Sequence, residues 1–203
     1  MWHYLITPFL LFASLFQSPQ TAYTKMVDRV QSSVVRITGE QALDTWVGPQ
    51  QVPYVCSGVV IAVNRILTAA HCRGEHILAD GTPATVLAFN EFYDLALLVA
   101  VTDKPSITLR DVPVQRFEDL TAVGYAWGWN RLTVLRGPAF LVNMAPASTH
   151  APGLLVQASY IGGMSGGAVV DVRGHMVGIV QQSNEGVGYG VSTQIIRVFL
   201  LGL

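Results

Sequence analysis

Three polar residues of the types used in acyl transfer lie in segments that are otherwise largely apolar or rich in glycine. His71 follows the segment Ile66–Ala70, Asp94 precedes the apolar run Leu95–Val101, and Ser165 is flanked by glycines. A serine hydroxyl is a weak nucleophile, so it needs a base beside it and an acid that orients this base. We therefore expect Ser165 to act as nucleophile, His71 as general base, and Asp94 as the carboxylate that orients His71 and stabilises its imidazolium form.

The segment around Ser165 could also stabilise the negative charge that develops in such a reaction. Glycines surround the serine in Gly162–Gly167, and they allow a sharp turn and a close approach to a substrate. We expect the backbone N–H groups of Gly163 and Ser165 to form the oxyanion hole. The same composition is also compatible with a glycine-rich hairpin that has no catalytic role.

Other acids and histidines lie in sequences that explain them without chemistry. Asp80 precedes Gly81, and Asp103 precedes Lys104, so both acids are typical of turns. A carboxylate at the head of a buried strand is costly unless it is paired, which favours Asp94 as the partner of a histidine. The remaining histidines are interpreted as ordinary polar residues: His3, His76, His150 and His175.

The composition limits both the fold and the partners. Only 12% of the 203 residues are charged, whereas soluble proteins average about 25%. With 51% hydrophobic residues and 19 glycines, the chain is expected to form a tightly turned, strongly buried β fold. The net charge is −1 and no block of Lys or Arg is present, which argues against nucleic acid and anionic membranes as partners. A polypeptide substrate is expected instead.

Short apolar runs separated by turn residues predict an all-β chain with a short helix near each end. The helices are expected at Lys25–Gln31 and Gln194–Leu201. The proline-containing stretch Thr102–Arg116 is expected to connect two lobes, at about 34–101 and 117–193. The predicted strands are Val34–Ile37, Val55–Val63, Ile66–Thr68, His76–Leu78, Ala84–Asn90, Leu95–Val101, Leu120–Tyr125, Leu132–Arg136, Ala139–Asn143, Leu154–Gln157, Ala168–Val172, Met176–Gln181 and Tyr189–Ser192. A loop is expected at Gly48–Pro53, and one tight helical turn at Ala69–Cys72.

The apolar N-terminal segment is interpreted as a secretory signal peptide. The run Leu5–Phe16 is too short for a helix that spans a hydrocarbon core of about 30 Å. We assign residues 1–22 to the signal and 23–203 to the folded domain, with cleavage between Ser14 and Ala22. The expected location is therefore the periplasm or the exterior, without stable membrane insertion. Two alternatives stay open: an apolar strand or helix of the domain, and an uncleaved membrane anchor.

The only two cysteines agree with export. Cys56 and Cys72 are expected to form a disulfide that ties the His71 segment to the preceding strand. The alternative is a pair of buried free thiols in a reducing compartment. The Cys and His residues do not have the spacing of a metal site, so no metal and no cofactor are expected.

The residues quoted above resemble those of a known family. The order His71, Asp94, Ser165 is that of the chymotrypsin-type triad and differs from the orders in subtilisins and α/β-hydrolases. The chain resembles chymotrypsin-fold serine peptidases from about Val27 to Val198, and is most similar to protease domains of the HtrA/Deg type. The supporting motifs are Val27–Val30 with Val34–Ile37, Asp94–Leu98, Gly124, Ser165–Ala168, Val177–Ile179 and Gly188–Val191. The resemblance implies two six-stranded antiparallel β-barrels with the active site between them.

The sequence departs from this family pattern in three places. Met164 precedes the serine where digestive members have an aspartate, and no activation site lies upstream, so zymogen cleavage of that kind is not expected. The chain ends at Leu203 without a PDZ module, so regulation by such a module in cis is not expected. The expected Cys56–Cys72 bridge is more typical of secreted chymotrypsin-like members than of HtrA proteins.

The resemblance also places the primary specificity pocket. Its walls are expected to be Ser159 and Tyr160, the strand that contains Gln181 and Ser183, and the segment that begins at Gly188. Because Ser159 and no acid is expected at the base, cleavage after Lys or Arg is not expected. A small or medium apolar residue before the scissile bond (P1) is expected, with Tyr160 restricting it further. The sequence thus predicts an exported serine endopeptidase, and the alternative is a catalytically silent, protease-like scaffold that binds a peptide or protein partner.

Overall fold

The computed structural model describes residues 18–46, 48–127, 131–142 and 153–203. The expected cleavage region up to residue 17 and the histidines at 3 and 150 lie outside this part of the chain. Two antiparallel sheets follow one another, with one helix before the first sheet and one after the second. This arrangement confirms the predicted all-β class with two barrel-like sheets and short terminal helices.

The N-terminal sheet has seven strands in the order β5-β4-β1-β2-β3-β7-β6. It is a half-barrel, whereas a closed six-stranded barrel was expected. Its edge strand β5 contains only two residues, and one of them is Pro83, which has no N–H to donate to a further strand. The strands are β1 (Val34–Thr45), β2 (Gly48–Ala62), β3 (Arg65–Thr68), β4 (Glu75–Ala79), β5 (Thr82–Pro83), β6 (Thr85–Asn90) and β7 (Leu95–Val99).

The C-terminal sheet is a closed barrel of six strands in the order β10-β13-β12-β11-β8-β9. The two strands predicted on either side of Gly137 form one continuous strand, β9, because all of its residues from 132 to 138 pair with β8. The strands are β8 (Asp119–Tyr125), β9 (Leu132–Val142), β10 (Leu154–Val156), β11 (Ala168–Val170), β12 (Met176–Asn184) and β13 (Val187–Ser192).

The loop expected at Gly48–Pro53 is in fact the first part of β2. It pairs with β1 in continuous antiparallel register, from Glu40↔Pro53 to Thr45↔Gly48. The pairing of β2 with β3 begins only at Val59, so among the described strands this part of β2 has no partner on its other edge. Prolines are tolerated on such an edge, and pairing with β1 therefore outweighs the local turn preference.

Two helices pack on an apolar cluster that both sheets share. Helix α1 (Pro19–Gln31) begins six residues before the predicted start, with Ser18 Oγ accepting a hydrogen bond from the N–H of Thr21. Helix α2 (Thr193–Leu201) contributes Ile196 and Phe199 to the cluster. None of the helices in the described part of the chain is both long enough and apolar enough to cross a membrane.

Candidate active site

A cleft of about 440 Å³ is lined by residues from both sheets. It contains His71 and Asp94 from the N-terminal sheet, and Ser165 from the C-terminal barrel. The structure therefore brings the three sequence-predicted residues to one place, although 71 positions separate Asp94 from Ser165 along the chain. The other lining residues are Tyr160, Ile161, Gly162, Val180, Gln181, Gln182 and Ser183.

His71 and Asp94 form a hydrogen-bonded pair. The 3₁₀ turn Ala70–Cys72 holds the histidine after β3, and Asp94 lies directly before β7, which pairs with β3. The ring atom Nδ1 of His71 lies 2.8 Å from Oδ2 and 3.1 Å from Oδ1 of Asp94. The backbone N–H of His71 also donates to Oδ1 at 2.9 Å. Because Nδ1 faces a carboxylate, the neutral ring carries its proton on Nδ1 and keeps the Nε2 lone pair available as a base.

The surroundings of Asp94 keep its carboxyl group ionised. Burial alone would raise the pKa of Asp94, but hydrogen bonds and charge attraction from His71, together with a hydrogen bond from the Gln181 side chain, lower it further than burial raises it. The net pKa of Asp94 is below the usual carboxyl value. The side chain of Asp94 is 8% exposed, whereas that of His71 is 48% exposed. The acid is thus shielded from water while the base is open to the cleft.

The hydroxyl of Ser165 donates a hydrogen bond to the carbonyl of Gln181, with an Oγ···O distance of 3.0 Å. Among the described residues, no hydrogen bond joins Ser165 Oγ to the His71 ring. Hydrogen bonds between a nucleophile and its base are often loose or absent in enzymes without bound substrate. Transfer of the serine hydrogen bond from the Gln181 carbonyl to Nε2 of His71 is therefore the movement that a reaction at Ser165 requires.

The two carbonyls that share a peptide bond with the expected oxyanion donors, those of Gly162 and Met164, are hydrogen-bonded within the protein. The carbonyl of Gly162 accepts a hydrogen bond from the N–H of Trp127 at 2.6 Å, and that of Met164 accepts one from Gly167 at 2.8 Å. In a trans peptide the C=O and N–H groups point in opposite directions. The N–H groups of Gly163 and Ser165 consequently face away from those partners, and in the described part of the chain neither has a protein acceptor.

The expected specificity pocket differs from the structure at its base. Ser159 is exposed and does not line the cleft. Tyr160 is only 8% exposed, and a Cβ atom added at Gly188 would lie 2.5 Å from its ring. The tyrosine ring therefore covers Gly188, as expected for a side chain that restricts the pocket. Gln181 and Ser183 line the cleft as expected, and Ser183 Oγ accepts a hydrogen bond from the backbone N–H of Tyr160 at 3.0 Å.

The predicted disulfide between Cys56 and Cys72 is present. It joins β2 to the turn that carries His71, and both cysteines are buried. The same turn is held by Gln41, whose Nε2 donates to the carbonyl of His71 at 2.6 Å, and by Tyr54, whose hydroxyl donates to that of Cys72 at 2.7 Å. Burial raises the pKa of Tyr54 to about 12. The sequence does not reveal these roles of Gln41 and Tyr54, because each side chain binds a backbone carbonyl that lies 30 or 18 positions further along the chain.

Metal binding is not supported at this disulfide, although its two sulfur atoms and a ring nitrogen of His71 lie within 4.8 Å of one another. A cysteine binds a metal as the free thiolate, and both sulfur atoms are used in the disulfide. The described residues at the site therefore fit chemistry that uses side chains and backbone N–H groups alone.

Comparisons with known proteins agree with this geometry. Residues 56–179 match the family model of the trypsin-like peptidase domain, so the chain belongs to the trypsin-like peptidase family. The fold is similar to that of the HtrA-type protease AlgW, in a variant (S227A) bound to a decapeptide, with a TM-score of 0.76 and 20% identity over 89% of this chain. This chain spans only 66% of that AlgW chain.

A second similar structure is the active form of the Rv3671c protease from M. tuberculosis. Its TM-score is 0.75, with 21% identity over 87% of this chain and 82% of that chain. The inactive form of the Rv3671c protease is also similar, with a TM-score of 0.70 and 20% identity over 88% of this chain and 92% of that chain. No curated protein matches the chain in sequence. At these identities the structural matches define the fold, and they confirm the resemblance to HtrA-type protease domains.

Proposed function

We propose that this chain is an exported serine endopeptidase in which Ser165, His71 and Asp94 form the catalytic triad. Nε2 of His71 takes the proton of Ser165 Oγ as this oxygen attacks the substrate carbonyl carbon, and Asp94 stabilises the imidazolium that results. The protonated ring then gives its proton to the leaving amine as the C–N bond breaks. Water, activated by the same histidine, hydrolyses the acyl-enzyme and restores Ser165.

The observation that carries this proposal is the hydrogen-bonding pattern next to the His71–Asp94 pair. Within the described part of the chain, the N–H groups of Gly163 and Ser165 have no protein acceptor, and the mechanism needs these two groups for the oxyanion. Oriented donors of this kind contribute strongly because they need no reorganisation when charge develops, and the loss of one donor costs about 10²- to 10³-fold in kcat.

The same cleft supports a preference for a small or medium apolar residue at P1. Tyr160 fills the space next to Gly188, so little depth remains beside Ser165. Asp94 is the acidic residue among those that line the cleft, and it is engaged by His71. A substrate Lys or Arg would need a buried carboxylate of its own, so substrates with small uncharged side chains at P1 fit best.

Export is supported by the disulfide and by the sequence of the N-terminus. Disulfides persist in oxidising compartments such as the periplasm and the exterior of the cell. The apolar run Leu5–Phe16 fits a cleaved signal within residues 1–22. Mass spectrometry of the exported protein tests this point, because an intact Met1 on a membrane-bound species would contradict cleavage.

One observation favours the second candidate, a catalytically silent scaffold that binds a peptide. Ser165 Oγ donates to Gln181 rather than to His71, and a protein that kept this bond permanently would not cleave. A fluorophosphonate probe decides between the two candidates, because it labels only an activated serine. We expect labelling of the wild-type protein and none of Ser165→Ala, with folding of the variant unchanged. A folded wild-type protein that resists the probe would favour the scaffold.

A further inference from the structure

Ser57 lies in β2, directly after Cys56, and its side chain is fully buried. It belongs to the N-terminal sheet, yet its hydrogen bonds reach the loop of the C-terminal barrel that contains Ser165. Nothing in the sequence around Ser57 marks it for chemistry, because it is one small residue in a largely apolar strand.

Two groups of Ser57 hold two carbonyls of that loop. Its hydroxyl donates to the carbonyl of Gly163 at 2.9 Å, and its backbone N–H donates to the carbonyl of Ser165 at 2.8 Å. The direction of the first bond is determined because a carbonyl oxygen can only accept, and Ser57 Oγ in turn accepts a hydrogen bond from the N–H of Tyr125 at 2.8 Å. The hydroxyl proton is therefore committed to Gly163.

We propose that Ser57 is a positioning residue for the oxyanion hole, an inference that rests on the function proposed above. The Gly162 and Met164 carbonyls are held by Trp127 and Gly167, and Ser57 holds the two carbonyls that remain between 162 and 165. With all four carbonyls bonded, every peptide plane from residue 162 to residue 166 has a fixed orientation. The N–H groups of Gly163 and Ser165 are then fixed as well.

Gly163 is the residue that most needs such support. Its φ angle is +95°, in the region that glycine enters readily. A glycine can also leave this conformation at little steric cost, so the adjoining peptides turn easily unless hydrogen bonds hold them. Without the Ser57 hydroxyl, the Gly163 carbonyl loses its donor and the Gly163–Met164 peptide loses its constraint. The N–H of Gly163 then spends less time in the orientation that meets an oxyanion.

Ser57 also connects the nucleophile to the base. The backbone bond from Ser57 to the Ser165 carbonyl and the disulfide from Cys56 to Cys72 start at adjacent residues of β2. One short segment of the N-terminal sheet thus contacts the loop of the nucleophile on one side and the turn of His71 on the other. This arrangement fixes the two halves of the active site relative to each other.

The test compares Ser57→Ala with Thr68→Val, a control that also removes a buried hydroxyl. Thr68 Oγ1 donates to the carbonyl of Ser57 at 2.7 Å, and its loss leaves the bonds to the Gly163 and Ser165 carbonyls in place. Hydrolysis of succinyl-Ala-Ala-Ala-p-nitroanilide gives kcat and KM per labelled active site. Inhibition by acetyl-Ala-Ala-alaninal, which forms a tetrahedral oxyanion on the serine, reports the affinity for a transition-state mimic.

For Ser57→Ala we expect kcat to fall about 10- to 100-fold, somewhat less than for complete loss of a donor, with KM within about twofold of the wild type. The affinity for the aldehyde should weaken by the same factor as kcat/KM, because both depend on the oxyanion. Thr68→Val should lose stability but keep kcat within about threefold. A merely structural role of Ser57 would lower the stability of both variants alike and leave the ratio of aldehyde affinity to KM unchanged.

The outcomes separate this inference from the proposed function. If the wild type reacts with the fluorophosphonate and Ser57→Ala is as active as Thr68→Val, the peptidase function stands and the role of Ser57 is refuted. If the wild type does not react, both proposals fail. Should Ser57→Ala not fold, Ser57→Thr decides, because it keeps the hydroxyl: kcat within about threefold of the wild type supports the proposal, and a 10-fold or larger loss contradicts it.

Discussion

Replacing Tyr160 with alanine should widen the range of side chains accepted at P1. The tyrosine ring covers Gly188 and lines the same cleft as Ser165, and its hydroxyl is buried without a hydrogen-bond partner in the described part of the chain. Burial also raises the pKa of this hydroxyl, so it stays neutral at physiological pH. Removing the ring opens apolar space and removes none of the hydrogen bonds described for the triad residues.

The expected magnitudes follow from burial. A leucine or phenylalanine side chain that becomes buried in the opened space gains about 1.5 to 3 kcal/mol, which corresponds to about a 10- to 150-fold increase in kcat/KM for such substrates. Loss of a buried aromatic ring costs about 3 to 5 kcal/mol of stability. Removal of the unpaired hydroxyl offsets about 1 to 3 kcal/mol of this cost, so we expect Tyr160→Ala to stay folded.

The assay is a set of peptide substrates that differ only at P1, measured with the wild type, Tyr160→Ala and the control Tyr160→Phe. The phenylalanine variant keeps the ring, so its P1 profile should match the wild type while its stability rises by about 1 kcal/mol, because no buried hydroxyl is left unpaired. An unchanged P1 profile in a Tyr160→Ala protein that still reacts with fluorophosphonate would refute the assignment of Tyr160 as the limit on P1 size.

Three further predictions concern the His71 side of the cleft. Asp94→Asn should lower kcat about 10⁴-fold. An amide that donates to Nδ1 of His71 selects the ring tautomer that has no lone pair on Nε2, so the ring can no longer act as a base. Steady-state kinetics of the folded variant would measure this loss of kcat. The folded state lowers the pKa of Asp94, so the ionised carboxylate contributes to the free energy of unfolding above a pH of about 4. This contribution is lost as the pH falls through the lowered pKa. Acid unfolding of Asp94→Asn should lack this pH-dependent loss, and identical acid-unfolding curves for the wild type and the variant would contradict the lowered pKa. Removing the disulfide, which closes a loop with a sequence separation of 16, in a Cys56→Ala, Cys72→Ala double variant should cost about 3 kcal/mol in urea unfolding. A loss below about 1 kcal/mol would show that other contacts hold the His71 turn.

The strands that the sequence predicted best are those whose residues are buried on both faces. Leu95–Val99 and Arg65–Thr68 match the expected runs to within two residues, because continuous apolar sequence is itself the signal for such strands. The stretch Gly48–Pro53 was misread as a loop. Its prolines and glycine indicate a turn when read locally, and only its pairing with β1 makes it a strand.

The candidate site likewise contains residues that the sequence predicts and residues whose roles only the tertiary structure reveals. His71, Asp94 and Ser165 could be named in advance because each has neighbours that explain it poorly as an ordinary polar residue. Ser57 could not be named, since its partner carbonyls lie 106 and 108 positions further along the chain. The resemblance placed Tyr160, Gln181 and Ser183 at the pocket, and all three line the cleft. The exposed position of Ser159 could not be predicted, because no spacing shows how the Tyr160 ring packs on Gly188.

The sequence by itself determined the β-rich class and the residue types available for chemistry, because these depend on composition and on near neighbours. The tertiary structure alone decided which groups meet: the free N–H groups of Gly163 and Ser165, the serine that holds their loop, and the tyrosine that limits the cleft. Such contacts depend on how two sheets pack against each other. Packing joins residues far apart in the chain, and the local sequence does not record those distances.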